Sequence, residues 1–452
     1  MELTLRQIEQ ATGGRLYGED VRLSSVVIDS REAKAGALYV AIRGERFDGH
    51  DFCEAAVQNG AEAVVCEKEP RTNMPYVLVK DTRQALLDIA GLYRDTRKDV
   101  KLIAVTGSVG KTTTKEMTHA VLAQKYNTLK TEGNLNNEIG MPKTLFRITP
   151  ETQAAVIEMG MNHFGEIARM TAAAKPDAAI ITNIGVSHIE FLGSRDGILK
   201  AKTEVINGMP VGAPLLVNGD NDKLKDFTDS RCRVVRFGID APHADIRAED
   251  IVEENGATRF TVRFDGSAQS VKIPLMGRHQ VYNALAAFGA GLLFDVPPAD
   301  IAEGLAAYTP AGMRQRIRQV NGITVIEDCY NASPDSQRAA LNVLAQIRAS
   351  RHIAVLGDML ELGAYSEEAH RQVGAYAAQS GIDALYCCGT AAKAMAKAAE
   401  HTVPTAYFTN KDDLFAALSA ALRPGDAVLF KASRGMAFEE VIQKLYGEWN
   451  EK

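Results

Sequence analysis

Gly107, Gly110, Lys111 and Thr112 crowd into "TGSVGKTT", a combination suited to phosphate. Glycines let the backbone turn tightly and bring its N–H groups against a ligand. A following lysine neutralises the outer phosphates, and a threonine hydroxyl is an oxygen ligand for Mg²⁺. The spelling departs from G-x-x-x-x-G-K-[ST], which would need glycine where Val105 stands. An ordinary strand-to-helix turn is the competing reading. Element order argues against it: "LIAV" before the loop reads as a buried strand, and "TTTKEMTHAVLAQ" after it has apolar residues at helical spacing. A helix N-terminus adds free N–H groups and partial positive charge, which favour an anion.

Other candidates lie where strands end. "AAVIEMG" ends in Glu158, and "AAIITNIGVSHIEFLG" puts His188 just beyond the next strand. In open α/β sheets ligands collect beyond the carboxyl ends of strands. If both strands flank the loop strand, Glu158 and His188 converge with Thr112 on the phosphates. A solvated carboxylate and a satisfied loop histidine are the alternatives. "ILKAKTEVI" carries Lys200 and Lys202 on a helix, where a solvated basic face is the plain reading. His279 and Asn283 are spaced to share a helical face. Asn283 reads a base edge or merely caps. "VIEDCYNASPDS" places Asp328, Tyr330 and Asn331 in a turn into a helix, suited to ribose or to capping. In "KTEGNLNNEIGMPKTL" three asparagines beside glycines make a polar loop. "DSREAKAG" with the loop "ERFDGH" is either a second phosphate-ligand site or an exposed turn.

The elements that position these residues form an α/β chain of 452 residues in three blocks. Residues 1–98 mix short strands and helices, and the charged "RDTRKDVK" reads as a linker. Residues 99–310 alternate apolar strands with helices, which implies a mainly parallel sheet. Within them, "RFTVRFDGSAQSVKIPL" alternates with period two around Asp265-Gly266, an antiparallel hairpin. Residues 311–452 repeat the α/β rhythm in "ITVIEDC", "HIAVLGD", "ALYCCG" and "AVLFKA".

Composition narrows the function. The net charge of −6 supplies no cationic face for nucleic acid. Scattered cysteines without C-x-x-C argue for a reducing cytoplasm. The charged N-terminus lacks the apolar core of a signal peptide, and the longest apolar run is too short for a bilayer.

The motifs "TGSVGKTTTKEM", "EGNLNNEIGMP", "VIEMGMNHFGEI", "NIGVSHIEFLGS", "KAKTEV", "GRHQVYNALAA", "EDCYNASPDS", "VLGDMLELG" and "KASRGMAFE" occur in this order. Together they resemble the Mur ligases, ATP-dependent amino-acid ligases of peptidoglycan synthesis, over essentially the whole chain. That family uses a phosphate loop in which Gly107 stands nearer Gly110, so the spelling is a variant. The resemblance implies an N-terminal UDP-sugar domain, a central ATPase domain and a C-terminal Rossmann-like domain. "TTTKEM", "YNASPDS" and "GDMLELG" resemble the branch that adds D-Ala-D-Ala to UDP-MurNAc-tripeptide through an acyl phosphate.

Roles follow from the resemblance. Gly107, Ser108, Gly110, Lys111, Thr112 and Thr113 form the nucleotide loop. Thr112 and Glu158 hold Mg²⁺, and His188 serves a second Mg²⁺. Lys202 matches the family lysine that captures CO₂ as a carbamate, with Lys200 as the alternative. His279, Asn283, Asp328 and Asn331 match nucleotide-site positions. Arg314 falls at the family's Gly-Arg pair, which here reads Met313-Arg314. Ser30, Arg31, Asp48, Gly49 and His50 resemble the uridine-diphosphate site, and Asn134, Asn136 and Asn137 the loop that meets the UDP-sugar. Lys431, Ser433 and Arg434 lie near the incoming substrate or ATP. A cytoplasmic monomer is expected. A sibling ligase, a non-catalytic ATP-binding scaffold and a P-loop kinase are the competing functions; the kinase would not need the large N- and C-terminal domains with these motifs.

Overall fold

The computed structural model describes every residue except Glu45, Asn255, Ala311 and Lys452. Glu45 opens the "ERFDGH" loop and Ala311 opens the third block, so both lie outside the described residues. Three larger sheets carry the architecture.

The first has five strands, in the spatial order Arg15–Tyr17, Tyr76–Leu78, Ala61–Cys66, Ala37–Val40, Ser25–Val27. Only the Arg15–Tyr17 edge runs antiparallel. The central strands "AEAVVC" and "ALYV" are buried nearly throughout, as continuous apolar runs in parallel sheets must be.

The second sheet has nine strands. Its parallel part places Lys101–Thr106, the strand before the glycine loop, between Ala154–Glu158 and Ala178–Ile181. Glu158 pairs with Val105, and Ile181 with Thr106. The two strands expected to flank the loop strand therefore do so, and their carboxyl ends open onto the same edge. At the far side Ala257–Phe264 and Ser267–Ile273 form the expected antiparallel hairpin. Its two turn residues, Asp265 (φ 43°) and Gly266 (φ 70°), are both left-handed, the backbone that a tight two-residue hairpin needs. The helix Arg278–Leu293 is apolar on nearly every side because it is enclosed between this sheet and the loop helix Lys111–Leu122.

The third sheet has six strands, ordered Arg316–Val320, Ile323–Glu327, Asp426–Lys431, Arg351–Gly357, Ala384–Cys388, Thr405–Phe408. Four of them were read from the α/β rhythm. The edge strand Arg316–Val320 was not, because most of its residues are exposed and it buries no apolar face. Its signal was Asn321-Gly322, a two-residue turn with both φ positive that pairs it antiparallel with Ile323–Glu327.

Among the described residues no helix is long and apolar enough to cross a membrane.

Candidate active site

The glycine loop is shaped by what presses on it. A Cβ at Gly107 (φ 145°) would lie 1.9 Å from Thr182 Oγ1, and one at Gly110 (φ 87°) 2.5 Å from Asn283 Oδ1. Neither position has room for a side chain, and both backbones disfavour one. Lys111 Nζ folds back over the loop and donates to the carbonyls of Gly107 (2.8 Å) and Ser108 (3.4 Å). Burial pulls its ammonium below the ordinary lysine value, against the opposing pull of Glu158. A cation held over the loop and poorly solvated is ready for phosphate oxygens. The N–H groups of Ser108 and Val109 meanwhile donate to Asn183 Oδ1 (3.1 and 2.8 Å). Asn183 was not singled out in the sequence, although it closes the run "AAIITN" at the same sheet edge. Ser108 is buried, and its Oγ accepts from the Gly185 N–H at 2.9 Å. Thr113 is buried behind the loop.

Beside the loop, Thr112 Oγ1 stands 3.2 Å from Glu158 Oε1. Asn136 Nδ2 donates to that same oxygen at 2.8 Å. The other oxygen, Glu158 Oε2, is buried and has no hydrogen-bond partner. Lys115 Nζ lies 3.7 Å from it, while contacting Glu116 Oε1 at 2.9 Å and the Thr131 carbonyl at 2.8 Å. An anionic oxygen left open beside a hydroxyl is a donor set that fits Mg²⁺, which takes one or two protein oxygens and completes its shell with phosphate and water. Among the described residues no three His, Cys, Asp or Glu converge as an all-protein cage. Lys115 was missed because a lysine inside an amphipathic helix ordinarily points to solvent. Here it is 1% exposed.

Lys202 and Lys200 part company. Lys202 is fully buried with no hydrogen-bond partner for Nζ, and burial followed by repulsion from Lys111 drives its ammonium well below the ordinary value. Lys200 Nζ instead lies over the Phe164 ring at 5.6 Å. The solvated-face alternative thus describes neither the burial nor the isolation of Lys202. His188 adopts a left-handed backbone (φ 63°), and its Nδ1 stands 2.7 Å from Glu361 Oε2 on the third block. His188 is the first cause holding the Glu361 carboxyl below its usual range.

The third block supplies the opposite wall. Lys431 Nζ, at the end of strand Asp426–Lys431, donates to Asp328 Oδ2 at 2.7 Å and to the Asn331 carbonyl at 3.2 Å. Arg314 stacks on the Tyr330 ring at 4.2 Å. His279 feels both Asp328 and Lys431, and burial lowers its imidazole to about 4. Asn283 Oδ1 accepts from Thr114 Oγ1 at 3.1 Å. Ser433 Oγ accepts from the Leu360 N–H at 2.9 Å, and Arg434 pairs with Glu439, outside this cluster.

The first-block candidates form a separate group. Asp29 caps the turn Ser30–Glu32 and pairs with the exposed Arg31 guanidinium (2.6 Å), which holds the Asp29 carboxyl down at about 2. Ser30 is buried. Asp48 accepts from the His50 N–H (3.0 Å) and contacts His50 Nδ1 (2.6 Å), while His50 Nε2 accepts from the Glu67 N–H (2.9 Å). Both ring nitrogens of His50 are thus engaged within the domain, and the imidazole braces the loop. A Cβ at Gly49 would meet the Ile42 carbonyl at 2.6 Å. The three asparagines also separate. Asn136 joins Glu158, Asn137 Oδ1 caps the helix Gly140–Leu145 through the Gly140 N–H (2.8 Å), and Asn134 is exposed.

Comparison with known proteins agrees with this geometry. The Mur ligase family catalytic domain matches residues 22–94, the Mur ligase middle domain 105–291, and the Mur ligase glutamate ligase domain 313–434. The chain is 39% identical over 453 aligned residues to UDP-N-acetylmuramoyl-tripeptide–D-alanyl-D-alanine ligase of Bacillus subtilis, covering 98% of each. A crystal structure of MurF from Acinetobacter baumannii superposes with a TM-score of 0.93 at 32% identity, covering 99% of each chain. MurF ligase from Thermotoga maritima in complex with ADP gives 0.84 at 28% identity, covering 94% of this chain and 98% of that one. The chain belongs to the Mur ligase family.

Proposed function

We propose that this enzyme joins D-Ala-D-Ala to UDP-MurNAc-tripeptide, with ATP converted to ADP and phosphate, as the last addition to the peptidoglycan precursor. The observation that carries the reading is the Thr112–Glu158 contact beside Lys111 and the glycine loop, in a chain that aligns end to end with a relative named for this reaction.

The chemistry is phosphoryl transfer followed by acyl transfer. A carboxylate oxygen of the tripeptide attacks the γ-phosphorus, the bond to the β-bridging oxygen breaks, and ADP leaves. The dipeptide amine then attacks the acyl carbon, loses a proton, and phosphate departs with that carboxylate oxygen. Most of the barrier is lowered by positioning and charge neutralisation. Lys111 neutralises the outer phosphates from its place over the loop. The loop N–H groups, released from Asn183, cradle them. Thr112 and Glu158 would hold one Mg²⁺, and His188 with Lys202 a second. Bound Mg²⁺ supplies charge neutralisation at the phosphate oxygens. Lys202 serves as a carbamate: its neutral amine bonds to CO₂, a proton leaves, and a stranded cation becomes an anionic oxygen donor. Asp328, Asn331, His279, Asn283 and Arg314 line the nucleotide side, and Lys431, Ser433 and Arg434 the side of the incoming dipeptide. Ser30, Arg31 and the Asp48–His50 turn receive the uridine diphosphate. Asn134 and Asn137 lie toward the sugar, and Asn136 toward Glu158.

This reading divides the chain into domains at 1–98, 99–310 and 311–452, and makes it a cytoplasmic monomer without membrane insertion or nucleic acid. The test follows one atom. With heavy oxygen in the tripeptide's terminal carboxylate, one labelled oxygen appears in the released phosphate. Label retained wholly in the peptide would refute the acyl phosphate.

A further inference from the structure

Gln315 is the last residue before the edge strand Arg316–Val320 of the third sheet, yet its side chain is buried in the central block. Its backbone is left-handed (φ 51°), a conformation few non-glycine residues other than Asn and Asp adopt. Its amide meets partners from the central block on both ends. Nε2 donates to the Met276 carbonyl at 2.7 Å, and Oε1 accepts from Gln280 Nε2 at 2.5 Å. The Gln315 N–H turns the other way and donates to Asp328 Oδ1 at 3.3 Å.

The chain of bonds continues from both sides. Gln280 Oε1 accepts from Asn283 Nδ2 at 2.9 Å, and Asn283 Oδ1 accepts from Thr114 Oγ1 on the loop helix. Asn283 also sits against the Gly110 turn, where a Cβ would clash with it. Asp328 is held by Lys431. A series of hydrogen bonds thus runs from the phosphate-loop helix to the strand ends of the third sheet, through side chains as far as the Gln315 amide and then through the Gln315 backbone N–H to Asp328. Gln280, Gln315 and Asn283 are all buried, where an unmet amide is costly. Each amide nitrogen in the series faces an oxygen, so every orientation is fixed by its neighbour.

We propose that Gln280 and Gln315 are positioning residues that couple nucleotide occupancy of the loop to the placement of Asp328 and Lys431, with Gln315 as the pivot of the third domain. A nucleotide that settles Asn283 and the loop settles Gln280, then Gln315, then Asp328 on the nucleotide side, and through it Lys431 on the side of the incoming amine. The coupling is reciprocal, so a displaced Gln315 weakens nucleotide binding. This rests on the ligase reading for its second substrate, and on the loop alone for its first.

The test uses full-length protein with Gln280→Met, Gln315→Met and the double variant, since methionine keeps the length and removes the hydrogen bonds. The dissociation constant of a non-hydrolysable ATP analogue rises about tenfold in each single variant, the scale of one buried hydrogen bond. KM for D-Ala-D-Ala rises with it, while KM for UDP-MurNAc-tripeptide stays put, which a general loss of structure would not allow. The double variant is no worse than the worse single. Gln315→Asn keeps an amide and tolerates the left-handed backbone but cannot reach both partners, so it behaves as Gln315→Met. Unchanged analogue binding in both single variants, or strictly additive losses in the double, would overturn the coupling. If Gln315→Met does not fold, Gln280→Met inside its helix decides alone by the same readouts. A wild-type protein that binds the analogue but ignores the dipeptide would end the ligase reading, and the binding cycle would still decide the relay.

Discussion

Thr112 Oγ1 and Glu158 Oε1 stand 3.2 Å apart, which ties the first turn of the loop helix to the end of the neighbouring parallel strand. The pairing of Glu158 with Val105 brings them there, so sheet register and the position of the carboxylate are one fact. Glu158 Oε2, next to this bond, has no hydrogen-bond partner and only the Lys115 ammonium 3.7 Å away, which is why we propose the pair as a cation site.

Glu158→Gln keeps the shape and a hydrogen-bond acceptor for Thr112 while removing the charge. Turnover falls by roughly 10²–10³-fold, the scale of one lost electrostatic stabiliser, and the Mg²⁺ concentration for half-maximal rate rises. Phosphate release titrated with Mg²⁺ measures both. An unchanged Mg²⁺ requirement would remove Glu158 from the metal site.

Lys111→Ala removes the cation over the loop without touching the core. Phosphate release drops by roughly 10²–10³-fold or more, and circular dichroism shows the fold retained. A folded variant with undiminished release would contradict the assignment of the loop.

Lys202→Met replaces an unpartnered buried amine with an apolar chain of similar length. Thermal stability is unchanged or higher, because an isolated buried polar group opposes folding, while turnover is lost. Protein held in CO₂-free buffer loses rate, and bicarbonate restores it. A fully active Lys202→Met variant would dismiss the carbamate.

His279 gives a pH signature. Its imidazole is lowered from 6.5 to about 4 by burial, so the unfolded chain binds a proton that the folded chain refuses. Stability is fully present above about pH 6.5 and falls as pH drops toward 4. His119 and His370 are shifted in the same direction by burial. In His279→Asn the fall in urea midpoint across this window becomes shallower. A slope identical to that of the parent would contradict the burial of this group.

Much of this was written locally. The glycine loop, Glu158 at a strand end and the Asp265-Gly266 turn each depend on residues within a few positions, so spacing revealed them. Gln315, Gln280, Lys115 and Asn183 were not legible, because their roles depend on partners brought from other elements. A glutamine after an arginine in "MRQRI" carries no local sign that its amide meets Met276 and Gln280. His50 carries a feature that its setting in "ERFDGH" did not show: its ring nitrogens contact Asp48 and the Glu67 N–H, which fixes the imidazole within the loop. The Arg316–Val320 strand escaped because an exposed edge strand lacks the apolar alternation that marks a buried one.

The most direct test of the ligase reading is phosphate release from ATP with Mg²⁺ and UDP-MurNAc-tripeptide, with and without D-Ala-D-Ala, with the product weighed by mass spectrometry. Release that depends strongly on the dipeptide, with a product heavier by one D-Ala-D-Ala unit, is the predicted result. Release that depends on a single amino acid, or no turnover from folded protein that binds ATP, would contradict it.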